Sequence, residues 1–343
     1  MAGEKKFSTD KGDDLFFSVH REMKGEAMLK ILLAVDGTSK GLEMVSAMGR
    51  VLKERKGVKV VLFHCVRQTA TLLPEDICMD VVESCKIAYD AQQRLGQAVL
   101  KASSDRLSAA GFPKADIEPR LKLDSIDPAR DIIEQADIEG IRTIAVGRRG
   151  RSQVETLLLG SVSAKVAQYA EGKIVWVVDA PLNEAENVLI ALENTPEART
   201  LCEYAAEFFG PCPGLDYSLT HIIPPLPPEF WDDGHILNDT EQKQRAARIE
   251  KWKADWTAGV QRCMAQGRDI LAGAGADPQR VQTLILPTRE GVARDLLTEI
   301  DAHKFRIVVM GRKSSREKKP FALGSRASKI LQHSRGVVLC LVG

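Results

Sequence analysis

Several features that would assign this chain to a common functional class are missing from its sequence. The formal net charge is only +1 at pH 7, so charge does not indicate a nucleic-acid or anionic-membrane partner. No apolar run approaches the ~18 residues of a membrane-spanning helix, and residues 1–27 contain no apolar core of a signal peptide. We therefore expect a cytoplasmic protein with a polar extension at residues 1–27 and with neither a membrane nor a nucleic-acid partner.

The cysteines do not form a recognisable framework. There are seven, an odd number without regular spacing, which argues against structural disulfides and for a reducing compartment. Cys78 and Cys85, and likewise Cys202 and Cys212, are spaced too widely for a zinc knuckle. We expect no metal site and no catalytic thiol.

Two common glycine motifs are also absent. The sequence has no G-x4-G-K-[ST] loop, which excludes a Walker A site. It has no G-x-G-x-x-G after the first apolar strand of either half, which counts against a dinucleotide fold.

What the sequence does contain is a long internal repeat with an offset of 164 residues. From Ala129 in the first copy and Ala293 in the second, the two copies run to the end without an insertion or deletion. In each, a turn that begins with glycine is followed after nine residues by Gly-Ser; these segments are Gly147-Arg148-Arg149-Gly150 with Gly160-Ser161, and Gly311-Arg312-Lys313-Ser314 with Gly324-Ser325. A repeat of this length in 343 residues predicts two tandem domains.

The hydrophobic pattern of each copy alternates between strand and helix. The first copy begins with the continuous apolar run 28–35, which is typical of a strand buried on both faces, and it continues through a long amphipathic helix predicted at 80–111. The same order restarts at Asn187, after a linker at 181–186. Strands that alternate with helices predict an α/β fold with a parallel sheet in each of two domains, 28–180 and 187–343.

The strand ends of the first copy carry the candidate site. Ligands of open parallel sheets bind beyond the carboxyl ends of the strands, where the winding direction changes. Asp36 follows the first strand and Gly147 ends the fourth, so an acidic side chain and a glycine turn should share one crevice. The segment Gly160-Ser161-Val162 offers backbone N–H groups at a helix start, which suits an anion, whereas Asp36 suits a ribose hydroxyl or a base edge. Taken alone, each piece is also compatible with a purely structural turn or helix start.

The combination G-x2-G-x9-G-[ST], with an aspartate closing the first strand, resembles the universal stress protein family, and the chain is similar to its tandem members over residues 28–180 and 187–343. The resemblance implies two doubly wound domains, each a five-stranded parallel sheet in the order 3-2-1-4-5 with helices on both faces. It implies bound ATP, with Mg²⁺ left open. The implied nucleotide-binding residues are Asp36 at the nucleoside, Cys65 and Val66 at the adenine, and Gly147, Arg148, Gly150, Gly160, Ser161 and Val162 around the phosphates.

The family also pairs its domains through an edge strand. The resemblance therefore implies that residues 173–178 and 337–342 meet within this chain as an intra-chain pseudo-dimer. A homodimer of whole chains is left open, and the protein partner is unknown.

The second copy departs from the pattern at three positions: Glu193 replaces the aspartate, Ser314 stands in place of Gly150, and Arg326 stands in place of Val162. A longer acid would crowd the ribose, whereas the arginine would attract phosphate. We expect a second, altered site formed by Glu193, Gly311, Ser314, Gly324, Ser325 and Arg326.

Three functions are compatible with these observations. The first is a nucleotide-dependent signalling or protective module in the stress response, with ATP held in the first copy. The second is an interaction protein that dimerises without a nucleotide. The third is a slow ATP hydrolase, for which His64 is the one histidine near the first crevice; since no carboxylate cluster accompanies it, we assign no catalytic residue.

The proline-rich segment 224–231 interrupts the pattern of the second copy and must be a stiff loop. Its Phe230-Trp231 pair is compatible with a partner or lid site and with a packed anchor of the loop.

Overall fold

The structure is a computed structural model that describes residues 28–67, 80–148, 159–230, 238–313 and 323–343. At 80–88 and at 229 the description covers the backbone alone. None of the helices in these segments is long and apolar enough to cross a membrane.

The first copy contains five strands and four helices among the described residues. They are β1 (Leu29–Ala34), α1 (Ser39–Leu52), β2 (Val58–Arg67), α2 (Asp80–Ala109), β3 (Ile117–Ser125), α3 (Pro128–Ile138), β4 (Thr143–Gly147), α4 (Ser161–Tyr169) and β5 (Ile174–Val178).

The described part of the second copy repeats this order. Its elements are β6 (Asn187–Ala191), α5 (Glu197–Phe209), β7 (Asp216–Ile223), α6 (Asp239–Gly273), β8 (Val281–Pro287), α7 (Val292–Ala302), β9 (Ile307–Gly311), α8 (Ser325–His333) and β10 (Val338–Val342).

All ten strands belong to one sheet, in the order β3-β2-β1-β4-β5-β10-β9-β6-β7-β8. Each half is parallel and has the order 3-2-1-4-5, which confirms the predicted doubly wound α/β fold. The two halves nevertheless form a single sheet of ten strands, because β5 and β10 pair antiparallel where they meet.

Helices cover both faces of this sheet, which explains why its central strands are continuous apolar runs. In β1, Ile31 and Leu33 face a core with α1 and α2, whereas Leu32 faces a second core with α3 and α4. Successive side chains of a strand point to opposite faces of the sheet. A strand that is buried on both faces therefore does not alternate between apolar and polar residues.

The seam between the copies is centred on one pair of equivalent residues. Val178 pairs with Val338, and Trp176 pairs with Cys340. Positions 176 and 340 are separated by the repeat offset of 164 residues, so each copy brings the same position of its last strand to the seam. The predicted meeting of the two terminal strands is confirmed.

A helix of the second copy packs over this seam. Trp176 is completely buried, and its ring lies edge-on to Phe208 at 4.7 Å and stacks on Phe209 at 5.5 Å, both from α5. Its indole Nε1 donates a hydrogen bond to the hydroxyl of Tyr204 at 2.6 Å. The core on this face therefore continues from one copy into the other.

Candidate functional site

The loop after β1 holds Asp36 in a defined position. Its Oδ1 accepts hydrogen bonds from the backbone N–H of Thr38 at 3.0 Å and from the Thr38 hydroxyl at 2.8 Å. The Thr38 Oγ1 in turn caps α1 by accepting from the N–H of Gly41 at 3.0 Å. Since β1 and β4 are neighbours in the sheet, Asp36 follows a strand end beside Gly147, as the sequence predicts.

The start of α4 lies next to this position. Gly160 is its N-cap and supplies no side-chain cap, while the Ser163 hydroxyl donates to the carbonyl oxygen of Gly147. The Gly160 N–H, which we expected to face a ligand, instead donates to the carbonyl oxygen of Arg148 at 2.8 Å. The donors left for an anion are therefore the first N–H groups of the helix itself, at Ser161 and Val162. Gly150 lies outside the described residues.

The Arg148 guanidinium is directed to the other copy. This side chain is only 2% exposed; its Nη1 donates to the carbonyl oxygen of Ser334 at 2.6 Å, and its Nη2 donates to that of Leu331. Both carbonyls lie at the C-terminal end of α8, where a cation is favourable. The side chain of Arg148 thus connects the two copies. Only the backbone of this residue belongs to the glycine turn.

Cys65 and Val66, which the sequence predicts at the adenine, lie near the carboxyl end of β2, the neighbour of β1 in the sheet. Val66 is buried and Cys65 is partly buried, and burial raises the pKa of the Cys65 thiol to about 12. His64 is 2% exposed, and its Nδ1 donates to the carbonyl oxygen of Val35 at 2.7 Å. This histidine fixes the end of the neighbouring strand, just before Asp36.

The second copy contains a cavity of about 680 Å³ at the carboxyl ends of β6 and β9. Its volume lies within the range of small-molecule sites, roughly 300–1,000 Å³. Four residues of the predicted second site line it: Glu193, Gly311, Gly324 and Arg326. Ser325 does not line the cavity, and Ser314 lies outside the described residues.

Two of the departures in the second copy form an ion pair. Arg326 Nη1 lies 2.8 Å from Glu193 Oε1, and both side chains are about one third exposed. Arg326 occupies the first turn of α8, where the helix dipole disfavours a cation. The carboxylate of Glu193 offsets this unfavourable interaction with the helix dipole. It also forms the ion pair with the arginine that an incoming anion would otherwise contact.

A buried histidine and a tryptophan line this cavity and bind each other. His221 Nδ1 donates to the carbonyl oxygen of Leu192 at 2.8 Å, and its Nε2 accepts from Trp256 Nε1 at 2.9 Å. Both ring nitrogens are satisfied only in the neutral form. Burial lowers the pKa of His221 below its ordinary value of 6.5, although Glu193 acts in the opposite direction.

This arrangement predicts a loss of stability in mild acid. Because the folded-state pKa of His221 is lowered, the unfolded chain binds more protons below pH 6.5, so the free energy of unfolding falls as the pH drops through that value. Urea titrations at about pH 7.5 and about pH 5.5 should show this decrease. We expect a smaller decrease in His221→Gln, whereas His303→Gln, at an exposed histidine, should keep it; an equal decrease in both variants would contradict the assignment.

His221 and Trp256, which line the second cavity, were not among the residues predicted for it from the sequence. A signal existed, because His64 and His221 are separated by 157 residues, as are Asp36 and Glu193. In both copies the histidine binds the carbonyl that precedes the acidic residue. Trp256 gave no comparable signal, since it lies on the long helix α6 and reaches the site only through the fold.

The loop 224–230 is anchored at Phe230. The Phe230 ring lies 6.1 Å from that of Trp252, and its carbonyl oxygen accepts from Arg245 Nε and Nη2 at 3.2 and 2.8 Å. These contacts support the packed-anchor interpretation for Phe230, whereas Trp231 lies outside the described residues. Within the described segments, no group of three His, Cys, Asp or Glu side chains is arranged to hold a metal ion.

Two doubly wound units that share one sheet define a tandem α/β protein. The profile of the Universal stress protein family matches residues 28–178 and again residues 184–341. The chain therefore belongs to the universal stress protein family.

Individual relatives are similar at low identity. A universal stress protein of Mycolicibacterium smegmatis is 27% identical over 154 residues, which are 44% of this chain and 46% of that protein, so the match spans about half of the relative. Universal stress protein YxiE of Bacillus subtilis is 25% identical over 157 residues, 43% of this chain and 97% of the relative.

Solved structures share the fold over most of the chain. A universal stress protein from Archaeoglobus fulgidus superposes with a TM-score of 0.58 at 18% identity, covering 92% of this chain and 98% of its own. A putative universal stress protein from Pseudomonas aeruginosa gives 0.54 at 14% identity, with 92% and 94% covered.

Proposed function

We propose that this chain is an adenine-nucleotide-binding member of its family that holds ATP chiefly in the first copy and acts as a nucleotide-dependent signalling or protective module in the stress response. The observation that supports this most is that Asp36 follows β1, while the neighbouring strand β4 is followed by Arg148, whose carbonyl oxygen binds Gly160, the N-cap of α4 without a side-chain cap. An acceptor for ribose hydroxyls and N–H donors for phosphate thus lie at adjacent strand ends.

In this proposal each part of the nucleotide has its own contacts. Asp36 accepts hydrogen bonds from the ribose, and the adenine lies along the end of β2 at Cys65 and Val66. The phosphates contact the first N–H groups of α4, at Ser161 and Val162, and the backbone of the turn that contains Gly147, Arg148 and Gly150. The proposal gives Mg²⁺ no ligand among these residues.

We propose no catalytic residue. His64 is buried and its Nδ1–H is already bonded to the carbonyl oxygen of Val35. A general base must reach the water that it activates, so this histidine serves the strand end rather than hydrolysis. We also infer a reducing, cytoplasmic environment, because the five cysteines whose side chains the structure describes are unpaired.

The direct test is the identity of any small molecule that the purified full-length protein carries. Denaturation should release a compound with the mass of an adenine nucleotide, and calorimetry of the stripped protein with ATP should show binding. Absence of both the released nucleotide and the heat of binding would overturn the proposal.

The second copy should bind ATP more weakly, because Glu193 occupies Arg326 and places a negative charge beside the phosphate position. We expect Glu193→Gln to strengthen this binding by about tenfold, the worth of roughly one charge-assisted hydrogen bond. The measurement is calorimetry with the full chain carrying Gly160→Val, so that only the second copy binds.

The matched control is Glu197→Gln. Glu197 also lines the cavity, so this variant removes the same charge while leaving the Glu193–Arg326 pair intact. Equal affinities in the two variants would show that the ion pair does not limit binding.

A further inference from the structure

Arg312 reaches across the seam in the same way as Arg148. It follows the last residue of β9 as Arg148 follows that of β4, and it is only 4% exposed. Its Nη1 donates to the carbonyl oxygen of Ala170 at 2.7 Å, and its Nη2 donates to that of Lys173 at 2.8 Å. Each arginine therefore binds the C-terminal end of the other copy's last helix.

The backbone carbonyl groups of the same two arginines bind the N-caps of the last helices of their own copies. The Arg148 carbonyl oxygen accepts from Gly160 N–H, and the Arg312 carbonyl oxygen accepts from Gly324 N–H, both at 2.8 Å. Gly160 and Gly324 are the N-caps of α4 and α8. Each arginine thus connects the helix start of its own copy with the helix end of the other copy.

These contacts close into a ring. Helix α4 begins at the first crevice and ends at the carbonyls bound by Arg312; α8 begins at the second crevice and ends at those bound by Arg148. Each helix has nine residues, a length of about 13 Å. An anion at the start of a helix and a cation at its end stabilise the same dipole.

The second cavity also includes part of the first copy. Glu171 and Gly172, in the turn between α4 and β5, line it together with Arg312. They lie between Ala170 and Lys173, whose carbonyls Arg312 binds. The shape of the second crevice therefore depends on the helix that opens the first.

We propose that Arg148 and Arg312 are positioning residues that couple the two crevices, so that a ligand bound in one raises the affinity of the other. The identity of the ligand rests on the proposed function, but the coupling rests on the ring of contacts. An anion at the start of α4 orders that helix, its ordered end supports Arg312, and Arg312 holds the turn of the second crevice. The reverse route runs through α8 and Arg148, since coupling between binding sites is reciprocal.

Crossed hydrogen exchange tests the coupling without any ligand. We expect Arg312→Gln to speed exchange of the Gly160 amide, at the far end of α4, by about fivefold or more. Arg148→Gln should do the same at Gly324, at the far end of α8. Exchange is followed by NMR on the full chain, with the amides of 60–62 in the buried part of β2 as a reference for general destabilisation.

Arg142→Gln is the matched control. Arg142 also crosses between the copies, to Glu207 at 2.9 Å, but it is 45% exposed and its ion pair is with α5 rather than with a last helix. This variant should leave both reporter amides unchanged. Arg312→Lys, which keeps the charge, should give a smaller change in the same direction and provides a second variant should Arg312→Gln fail to fold.

A second measurement uses ATP. Arg312→Gln should weaken ATP binding in the first copy by about fivefold or more, although Arg312 belongs to the second. Unchanged exchange at Gly160 and Gly324 in the crossed variants would overturn the coupling. Faster crossed exchange in a protein that gives no heat with ATP would support the coupling and overturn the nucleotide assignment instead.

Discussion

Replacing Gly160 with valine should abolish ATP binding by the first copy. The β-branched side chain would stand at the start of α4, where the proposed phosphates approach the N–H groups of Ser161 and Val162. Gly160 has φ −68° and ψ 146°, an extended conformation that valine adopts readily. The backbone therefore accepts the substitution, and calorimetry of the full chain should show a loss of at least about a hundredfold in affinity.

Gly324→Val is the matched control for this variant. Gly324 is the N-cap of α8 and has nearly the same conformation, with φ −73° and ψ 161°. If ATP is held chiefly in the first copy, this variant should keep the tight binding that Gly160→Val loses. Unchanged affinity in Gly160→Val would exclude the first crevice as the nucleotide site.

Trp176→Ala should cause the largest loss of stability. The substitution removes a completely buried ring from the aromatic cluster with Phe208 and Phe209, and it leaves the Tyr204 hydroxyl without its indole donor. Removing a buried tryptophan side chain costs about 3–5 kcal/mol. Because the cluster joins β5 of one copy to α5 of the other, both copies should unfold in one transition, at a Tm lower by about 5 °C.

Two variants identify the origin of that loss. Trp176→Phe keeps an aromatic ring but not the N–H, so it should recover most of the stability. Trp252→Ala removes a partly buried tryptophan of α6, away from the seam, and should cost much less. A thermal scan of Trp176→Ala with two separate transitions would show that the copies unfold independently.

The alternation of strands and helices along the chain follows from local signals in the sequence, whereas the order of the strands in the sheet was implied by the family resemblance. Runs such as 28–35 and 58–66 are apolar at most positions, with Lys30, Lys59 and His64 as the exceptions, because both faces of the sheet are covered. The 164-residue repeat predicts that the two halves share one fold. The bounds of the strands and helices consequently agree closely between expectation and structure.

The contacts of the site depend on residues that are distant in the chain. Nothing local to Arg148 indicates that its guanidinium reaches Leu331 and Ser334, since the sequence pattern shows only two arginines between two glycines. Glu193 and Arg326 looked like separate departures from the motif, yet they form one ion pair. Glu193 keeps the negative charge of Asp36 and only Arg326 adds a charge, so the signal for this pair in the sequence is an arginine gained in a motif that retains its acidic residue.

The antiparallel seam has a consequence for the covalent linkage of the two copies. In a dimer of identical subunits, a position on the two-fold axis faces its own copy, so that its side chain must fit against itself. Here the equivalent positions at the centre of the seam carry Trp176 and Cys340, a large side chain opposite a small one. Two tryptophans would crowd this position, and two cysteines would leave it underfilled. Fusion into one chain frees the axis from self-complementarity and commits each half to the other rather than to another copy of itself.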